Sequence, residues 1–128
     1  MATILIVEDD PCTSDRIAEL LGSRGFHTRV ESNGAAALLA AHEDLPDLIL
    51  LDLQVPILDG QEVILALRHD PRTAWIPVIV LSGKADDRQL ADALAAGANV
   101  YFARPPDSAA LISIVERLLS LQVKDTAT

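Results

Sequence analysis

Acidic side chains follow two apolar segments of the sequence, at the points where predicted strands end. They are Asp52, directly after residues 48–51, and Glu8, Asp9 and Asp10, directly after residues 3–7. A continuous aliphatic run is typical of a parallel strand buried on both faces, so the first acid after it marks where the chain leaves the core. A lone Asp there is usually a turn cap. Several acids at one sheet edge repel one another by about 4 kcal/mol per close pair at an effective dielectric of about 20, so such a cluster usually holds a cation. Carboxylate oxygens are typical ligands of Mg²⁺.

Two further predicted strands end in residues that suit phosphate chemistry. Ser82 follows residues 78–81, and Arg104 follows residues 100–103. A hydroxyl and a permanent cation are the groups that would bind the free oxygens of an acyl phosphate. A carboxylate beside Mg²⁺ can act as a nucleophile toward phosphorus. The four strand ends together indicate phosphoryl transfer onto Asp52, with Ser82 and Arg104 as the assisting catalytic groups.

The pattern of the whole chain explains how these residues would meet. Five strands alternate with five helices, which predicts an α/β fold with a parallel sheet between two helix layers and right-handed crossovers. The second strand, over residues 26–30, alternates in polarity and belongs at an edge. A strand order of 2-1-3-4-5 places Glu8, Asp9 and Asp52 in one crevice at the switch point of the sheet. Inward stripes on the last two helices are expected at Leu90, Ala93 and Leu94, and at Leu111, Ile114, Val115, Leu118 and Leu121.

Composition limits the class of protein. At 128 residues the chain suits one domain, expected over residues 1–122 with a tail over 123–128. The net charge of −9 argues against direct, sequence-independent nucleic-acid binding. The longest apolar run, residues 35–41, is too short for a membrane span. A single cysteine, Cys12, fits a reducing compartment, so we expect a cytoplasmic protein.

Four segments resemble the receiver domain of two-component response regulators. They are ILIVEDD at residues 4–10, PDLILLDLQVPILDG at 46–60, VLSG at 80–83 and GANVYFARP at 97–105. The resemblance covers about residues 3–121, and it is specific because order and spacing match together. It implies a flavodoxin-like three-layer sandwich that works as a signalling switch rather than as an enzyme on a diffusible metabolite.

The resemblance also implies a role for each site residue. Asp52 would be the phosphorylation site, receiving its phosphoryl group from a histidine kinase or a histidine phosphotransfer protein. The Mg²⁺ ligands would be Glu8, Asp9, Asp52 and the backbone carbonyl of Gln54. Ser82 would be the switch hydroxyl, and Tyr101 the aromatic side chain that turns inward with it. The face of the fourth helix, fifth strand and fifth helix would change on phosphorylation and contact an output protein or domain.

Two departures from the family pattern keep alternatives open. Arg104 stands where receivers usually have Lys, and a planar guanidinium is not equivalent to an ammonium. Pro106 stands where an aromatic residue is common. A degenerate receiver that binds partners without phosphorylation is therefore one alternative. A flavodoxin-like cofactor binder or small hydrolase is another, although the acids at residues 8–10 would repel a bound phosphate.

The sequence leaves the wider context of the domain open. It shows no output domain, so the chain would act alone, pass the phosphoryl group on, or be a fragment of a larger regulator. Ile112 and Leu119 fall off the main stripe of the last helix, and their exposure would favour a partner or homodimer face.

Overall fold

A computed structural model describes residues 2–81, 86–102 and 107–127, with side chains described as far as residue 121. In these ranges five strands alternate with five helices, as predicted. Their bounds are β1 Thr3–Val7, α1 Pro11–Ser23, β2 His27–Glu31, α2 Gly34–Asp44, β3 Leu48–Leu51, α3 Gly60–His69, β4 Val78–Leu81, α4 Asp87–Ala96, β5 Val100–Phe102 and α5 Ser108–Ala127.

The strands form one parallel sheet in the order β2-β1-β3-β4-β5. This confirms the predicted topology. The chain reverses its winding direction between β1 and β3, and in open α/β sheets ligands bind in the crevice beyond the carboxyl ends of the strands at this point. Val7 pairs with Leu51 in the register of β1 and β3, so the two strands end side by side.

Two cores lie on opposite faces of the sheet, because successive strand side chains point to opposite sides. On one face, alternate residues of β1, β3 and β4 pack against α2, α3 and α4, with Leu5, Val7, Ile49, Leu51, Val78 and Val80 at the centre. On the other face, Ile4, Ile6, Leu48, Leu50 and Ile79 pack with Leu21 of α1 and with Leu111, Ile112 and Val115 of α5. The result is the three-layer sandwich expected from the sequence.

Three expectations for the last two helices are wrong. Leu94 and Leu121, predicted to face inward, are 41% and 52% exposed. Ile112, whose position off the main stripe suggested exposure, is only 4% exposed, and Leu119 is partly buried against the same core. Leu111 and Ile112 are adjacent in sequence and both buried in the same core, so the buried stripe of α5 is wider than the simple helical spacing indicates. The exposure that would favour a partner face at Ile112 and Leu119 is therefore not observed.

The last helix also differs in length. α5 begins at Ser108 and continues to Ala127, beyond Leu121, the last residue of the stripe expected from the sequence. The boundary between domain and tail at residues 122 and 123 stays a prediction.

Candidate functional site

Glu8 and Asp52 are placed side by side by backbone hydrogen bonds that extend the sheet past its last paired residues. The Asp52 N–H donates to the Val7 carbonyl at 3.0 Å, and the Glu8 N–H donates to the Glu31 carbonyl at 3.1 Å. Each acid is thus the first residue after its strand, still held by the neighbouring strand. The backbone of β2, β1 and β3 therefore fixes where both side chains begin.

Carboxylate oxygens of Glu8, Asp9 and Asp52 all lie within 4.8 Å of one another. Glu8 and Asp52 are half-buried, whereas Asp9 is exposed. The predicted meeting of these three acids at the switch point is therefore observed. A group of three oxygen donors at this separation is a donor set that suits a hard divalent cation.

The crowded and partly buried position of Glu8 strongly shifts the pKa of its carboxyl group. Burial raises the pKa of Glu8 to about 8, helped by a hydrogen bond with Asp52 and by the negative charges of Asp52, Asp9 and Asp10. Burial and the negative neighbours both disfavour the ionised form of Glu8, because the carboxylate loses water and is repelled by the other charges, and the hydrogen bond with Asp52 adds to the effect. Without a cation, Glu8 therefore holds a proton near neutral pH and shares it with Asp52.

Asp10 does not belong to the cluster, although it is adjacent in sequence. It is the N-cap of α1, a role typical of Asp before a first helical proline such as Pro11. The Thr13 hydroxyl donates to Asp10 Oδ2 at 2.6 Å, and this bond lowers the pKa of Asp10. The third acid of the run begins the helix rather than taking part in the site.

The loop after β3 orients Asp52. The Gln54 N–H donates to Asp52 Oδ1 at 3.0 Å, so one carboxylate oxygen is fixed by the backbone two residues later. Leu53 is buried whereas Gln54 is exposed, so the side chain of Leu53 anchors the loop in the core. The Gly60 N–H donates to the Leu53 carbonyl at 2.9 Å, and a Cβ on Gly60 would lie 2.6 Å from Leu53 Cα. Gly60 is needed because the start of α3 touches the loop backbone.

A second glycine fixes the far part of this loop, and the sequence did not reveal it. The Gly34 N–H, at the start of α2, donates to the Pro56 carbonyl at 3.1 Å. A Cβ on Gly34 would collide with the Leu58 carbonyl oxygen. Between these contacts Ile57 has a φ of 75° and is 75% exposed. A β-branched residue at positive φ is an outlier, so the loop is held in a strained conformation. The available signal was a glycine at the first position of both α2 and α3.

The remaining predicted site residues are only partly placed. Ser82 and Arg104 lie outside the described residues, and so does Pro106. Tyr101 lies on β5 beside Val80, and its side chain is 40% exposed. The predicted roles of Ser82, Arg104 and Tyr101, and of the Gln54 carbonyl as a metal ligand, stay predictions.

The fold and the acidic crevice define a doubly wound α/β domain with a candidate metal site at its switch point. The sequence model of the protein family described as the response regulator receiver domain matches residues 4–116, which is most of the chain. The chain therefore belongs to the receiver domain family of two-component response regulators. This favours the receiver over the cofactor binder and the hydrolase.

Individual relatives agree with the family. The chain is 37% identical over 102 residues to the DNA-binding response regulator MtrA of Mycolicibacterium smegmatis, covering 80% of this chain and 43% of that protein. It is 35% identical over 119 residues to the regulator RpaA of Synechocystis, covering 93% and 49%. The chain thus spans about half the length of these two relatives, which are named as DNA-binding or transcriptional regulators.

A solved structure is similar over nearly the whole fold. It is the receiver domain of the sensor histidine kinase PA1611 from Pseudomonas aeruginosa, with a TM-score of 0.86 and 31% identity, covering 93% of this chain and 98% of that one. That structure has a magnesium ion coordinated in its active-site cleft.

None of the helices that the structure describes combines the length and the apolar character needed to span a bilayer.

Proposed function

We propose that Asp52 accepts a phosphoryl group from the phosphohistidine of a sensor kinase or a histidine phosphotransfer protein, and that the domain thereby switches. The observation that carries this proposal is the convergence of Glu8, Asp9 and Asp52 within 4.8 Å at the switch point of the sheet. Family membership supports the same function. The transfer is self-catalysed and serves the switch, so the domain is not an enzyme that turns over a metabolite.

The transfer needs a carboxylate oxygen aimed at phosphorus. An Asp52 oxygen forms the new bond to phosphorus while the bond between phosphorus and the donor imidazole nitrogen breaks, and the leaving nitrogen keeps the electron pair. The Gln54 N–H holds Asp52 Oδ1 and so limits rotation of the carboxylate. A fixed nucleophile lowers the entropic cost of reaching the reactive geometry.

The three acids fit Mg²⁺ as the bound cation. Asp9 is exposed and Glu8 and Asp52 are half-buried, so the donors line a crevice open to solvent, which suits an ion that keeps several waters. Burial, together with the negative charges of its neighbours, keeps Glu8 protonated near neutral pH, and a divalent cation would favour the ionised carboxylate against both. When bound, Mg²⁺ would neutralise part of the charge that otherwise repels an incoming phosphoryl group.

Ser82 and Arg104 complete the proposal at the other two strand ends. The Ser82 hydroxyl and the Arg104 guanidinium would bind the phosphoryl oxygens once Asp52 is modified. Tyr101 would then turn inward from its exposed position on β5. The face of α4, β5 and α5 would report the change to an output protein or domain, or to a second copy of this chain. We place this cycle in the cytoplasm, in line with the single exposed cysteine, Cys12.

The proposal is tested by incubating the protein with Mg²⁺ and acetyl phosphate, and separately with a phosphorylated kinase, followed by intact mass measurement. We expect one labile phosphoryl adduct on the parent protein and none on Asp52→Asn. Asp15→Asn, which removes an exposed carboxylate of α1 outside the cluster, is the matched control and should form the adduct. Absence of an adduct on the parent protein with both donors would support the degenerate receiver instead.

The metal site has its own readout. Asp9→Asn should weaken Mg²⁺ binding measured by calorimetry, because it removes one of three charged donors, while its fold by circular dichroism should be unchanged. Equal Mg²⁺ affinity in Asp9→Asn and the parent protein would contradict the assignment of these ligands.

A further inference from the structure

Arg68 makes an unusual set of contacts at the edge of the sheet opposite the acidic crevice. It lies in the last turn of α3, and its guanidinium donates to four oxygens of two other segments, the loop before β4 and the link between α4 and β5. The bonds are Nη1 to Ala74 O at 3.1 Å and to Ile76 O at 2.7 Å, Nε and Nη2 to Gly97 O at 3.1 and 2.8 Å, and Nη2 to Asn99 Oδ1 at 2.9 Å. We call these contacts the Arg68 latch.

The latch joins the C-terminal end of α4 to the beginning of β5. Gly97 is the C-cap of α4, and its N–H donates to the Ala93 and Leu94 carbonyls. Asn99 donates its N–H to the Val78 carbonyl and accepts the Val78 N–H on Oδ1, both at 2.9 Å. Since Oδ1 also accepts from Arg68, one side chain connects the starts of β4 and β5 to α3.

The position of Gly97 shows that the latch constrains the local sequence. Its φ is 122°, and a Cβ there would lie 2.8 Å from Arg68 Cγ. A residue with a side chain would therefore be strained and would displace the Arg68 stem. In the described part of the chain, Arg68 has no carboxylate within ion-pair distance. Its positive charge is instead stabilised by hydrogen bonds to carbonyl oxygens that lie near the C-terminal, negative ends of the α3 and α4 dipoles.

The opposite end of α4 is held much less firmly. That end follows β4 at the acidic edge and begins with a capping box between Asp86 and Gln89. Its first residues are exposed, and the only fully buried side chains of the helix are Leu90 and Ala93. Few buried apolar contacts mean a low free energy for local opening. The two ends of one helix therefore differ: one is fixed by charge-assisted bonds, and the other is held by a local cap and one buried leucine.

We propose that the Arg68 latch is the fixed pivot of α4, so that the helix responds to the acidic site by moving its site-facing end about its latched end. The regulatory part of this inference rests on the function proposed for Asp52, whereas the mechanical part does not. Arg68 acts here as a positioning residue, far from the reacting atoms. Because β5 begins at the latch, the same pivot keeps the register of Tyr101 while α4 moves.

The mechanical part is tested by residue-resolved amide hydrogen exchange on the unmodified protein. In the parent protein the amides of Gly97, Ala98 and Asn99 should exchange more slowly than those of Leu90 and Ala91. In Arg68→Lys, which keeps the charge but loses the fork of donors, exchange at residues 97–99 should rise roughly 5–30-fold, the factor that corresponds to losing one or two such bonds. Exchange at residues 90 and 91 should rise less.

Matched variants separate a pivot from a general loss of stability. Arg88→Lys, on the exposed face of α4, should leave the exchange pattern unchanged. Asn99→Asp retains an accepting oxygen and should resemble the parent, whereas Asn99→Ala should raise exchange at residues 97–99. Asn99→Ala also serves if Arg68→Lys does not fold. Slower exchange at residues 90 and 91 than at 97–99 in the parent, or no local rise in the variants, would overturn the pivot.

The regulatory part is tested by repeating the exchange with Mg²⁺ and acetyl phosphate, with intact mass measured on the same samples. With an adduct present, the change should be confined to residues 87–91 in the parent and should extend to 97–99 in Arg68→Lys. Equal changes at both ends in the parent would overturn the coupling. If no adduct forms, the function proposed for Asp52 fails, and the exchange pattern of the unmodified protein still decides the pivot.

Discussion

The two edges of the sheet differ in their electrostatics: like charges are crowded together at the carboxyl edge, whereas polar groups are paired with one another at the amino edge. At the carboxyl edge, three carboxylates crowd within 4.8 Å, the pKa of Glu8 is raised to about 8, and the adjoining loop holds Ile57 at positive φ. At the amino edge, Arg68 meets four oxygens, and the His42 ring lies between the Leu38 carbonyl and the Asp70 carboxylate. One edge holds unfavourable interactions that a ligand would relieve, and the other satisfies its polar groups internally.

The difference indicates that the conformation of the domain responds to ligands at the carboxyl edge and stays fixed at the amino edge. A cluster of like charges stores free energy that cation binding or phosphorylation can release, which biases one conformation over another. A satisfied network gains nothing from a ligand and holds the elements that meet there. The following changes test this contrast, beginning with the largest expected effect.

Removing the Arg68 guanidinium should cost the most stability. Arg68→Met keeps a side chain of similar length but leaves carbonyls of Ile76 and Gly97 without their donor, so we expect a loss of about 3 kcal/mol in the free energy of unfolding. Urea denaturation measures the change. Arg88→Met is the control for loss of an exposed arginine, and a loss as small as that of the control would show that the latch does not stabilise the amino edge.

Neutralising Glu8 should increase the free energy of unfolding, whereas removing the Arg68 guanidinium should lower it. Glu8→Gln removes one charge from the cluster and keeps a donor for Asp52, so in metal-free buffer above neutral pH it should stabilise the protein by on the order of 2 kcal/mol. The pH dependence has a defined direction. The folded pKa of about 8 lies above the ordinary value of 4.5, so stability in the parent falls as pH rises from 4.5 through 8.

Two measurements check this prediction. The difference between parent and Glu8→Gln in urea midpoint should grow across that pH range, and saturating Mg²⁺ should reduce it because the cation favours the ionised carboxylates. A difference that is independent of both pH and Mg²⁺ would contradict the account of the cluster.

Relaxing the loop beside Asp52 should give a smaller gain. Ile57→Gly removes the steric cost of positive φ, partly offset by the greater flexibility of glycine in the unfolded chain, for a net stabilisation of about 1 kcal/mol. Ile57→Ala keeps a Cβ and is the matched control. If both variants had the same thermal midpoint, the loop would not be strained at this residue.

The smallest effect is expected at the contact between α2 and α3. Hydrogen bonds to the Leu38 carbonyl and then to Asp70 raise the pKa of His42 above 6.5, with the opposing charge of Arg72 nearby. A raised pKa means that the bonds stabilise the folded state at low pH and that this contribution is lost as pH rises through the raised value. The stability of the parent relative to His42→Gln should therefore decrease as pH rises from below 6.5 through the raised pKa of the ring. NMR titration of the ring gives the pKa directly, and a value at or below 6.5 would show that the pair is not formed.

Much of the carboxyl edge could be predicted from the sequence. Aliphatic runs ending in Glu8 and Asp52 identify buried parallel strands and the side of the sheet on which they end, because only that arrangement hides such runs. The strand order then follows from the alternation of strands and helices and the polar edge strand at His27–Glu31. The meeting of Glu8, Asp9 and Asp52 needed no further information.

The amino edge could not be predicted in the same way. Arg68 is an ordinary helical arginine by pattern, and its acceptors are main-chain carbonyls that have no sequence signature. Gly97 and Gly34 could be recognised as turn or cap residues, but the atoms that exclude a Cβ at these positions come from distant segments. Ile112 was misjudged for a related reason, since the width of a buried stripe depends on how the helix lies on the sheet.

The amino-acid sequence by itself determined the class of fold, the side of the sheet that carries the chemistry and the acids that gather there, because hydrophobic periodicity and strand ends are local properties. Tertiary structure alone decided that Gln54 orients Asp52 through its backbone N–H and that Arg68 holds one end of α4. These depend on distances of a few Å between segments far apart in the chain, which only the packing of the complete sheet and its helices sets.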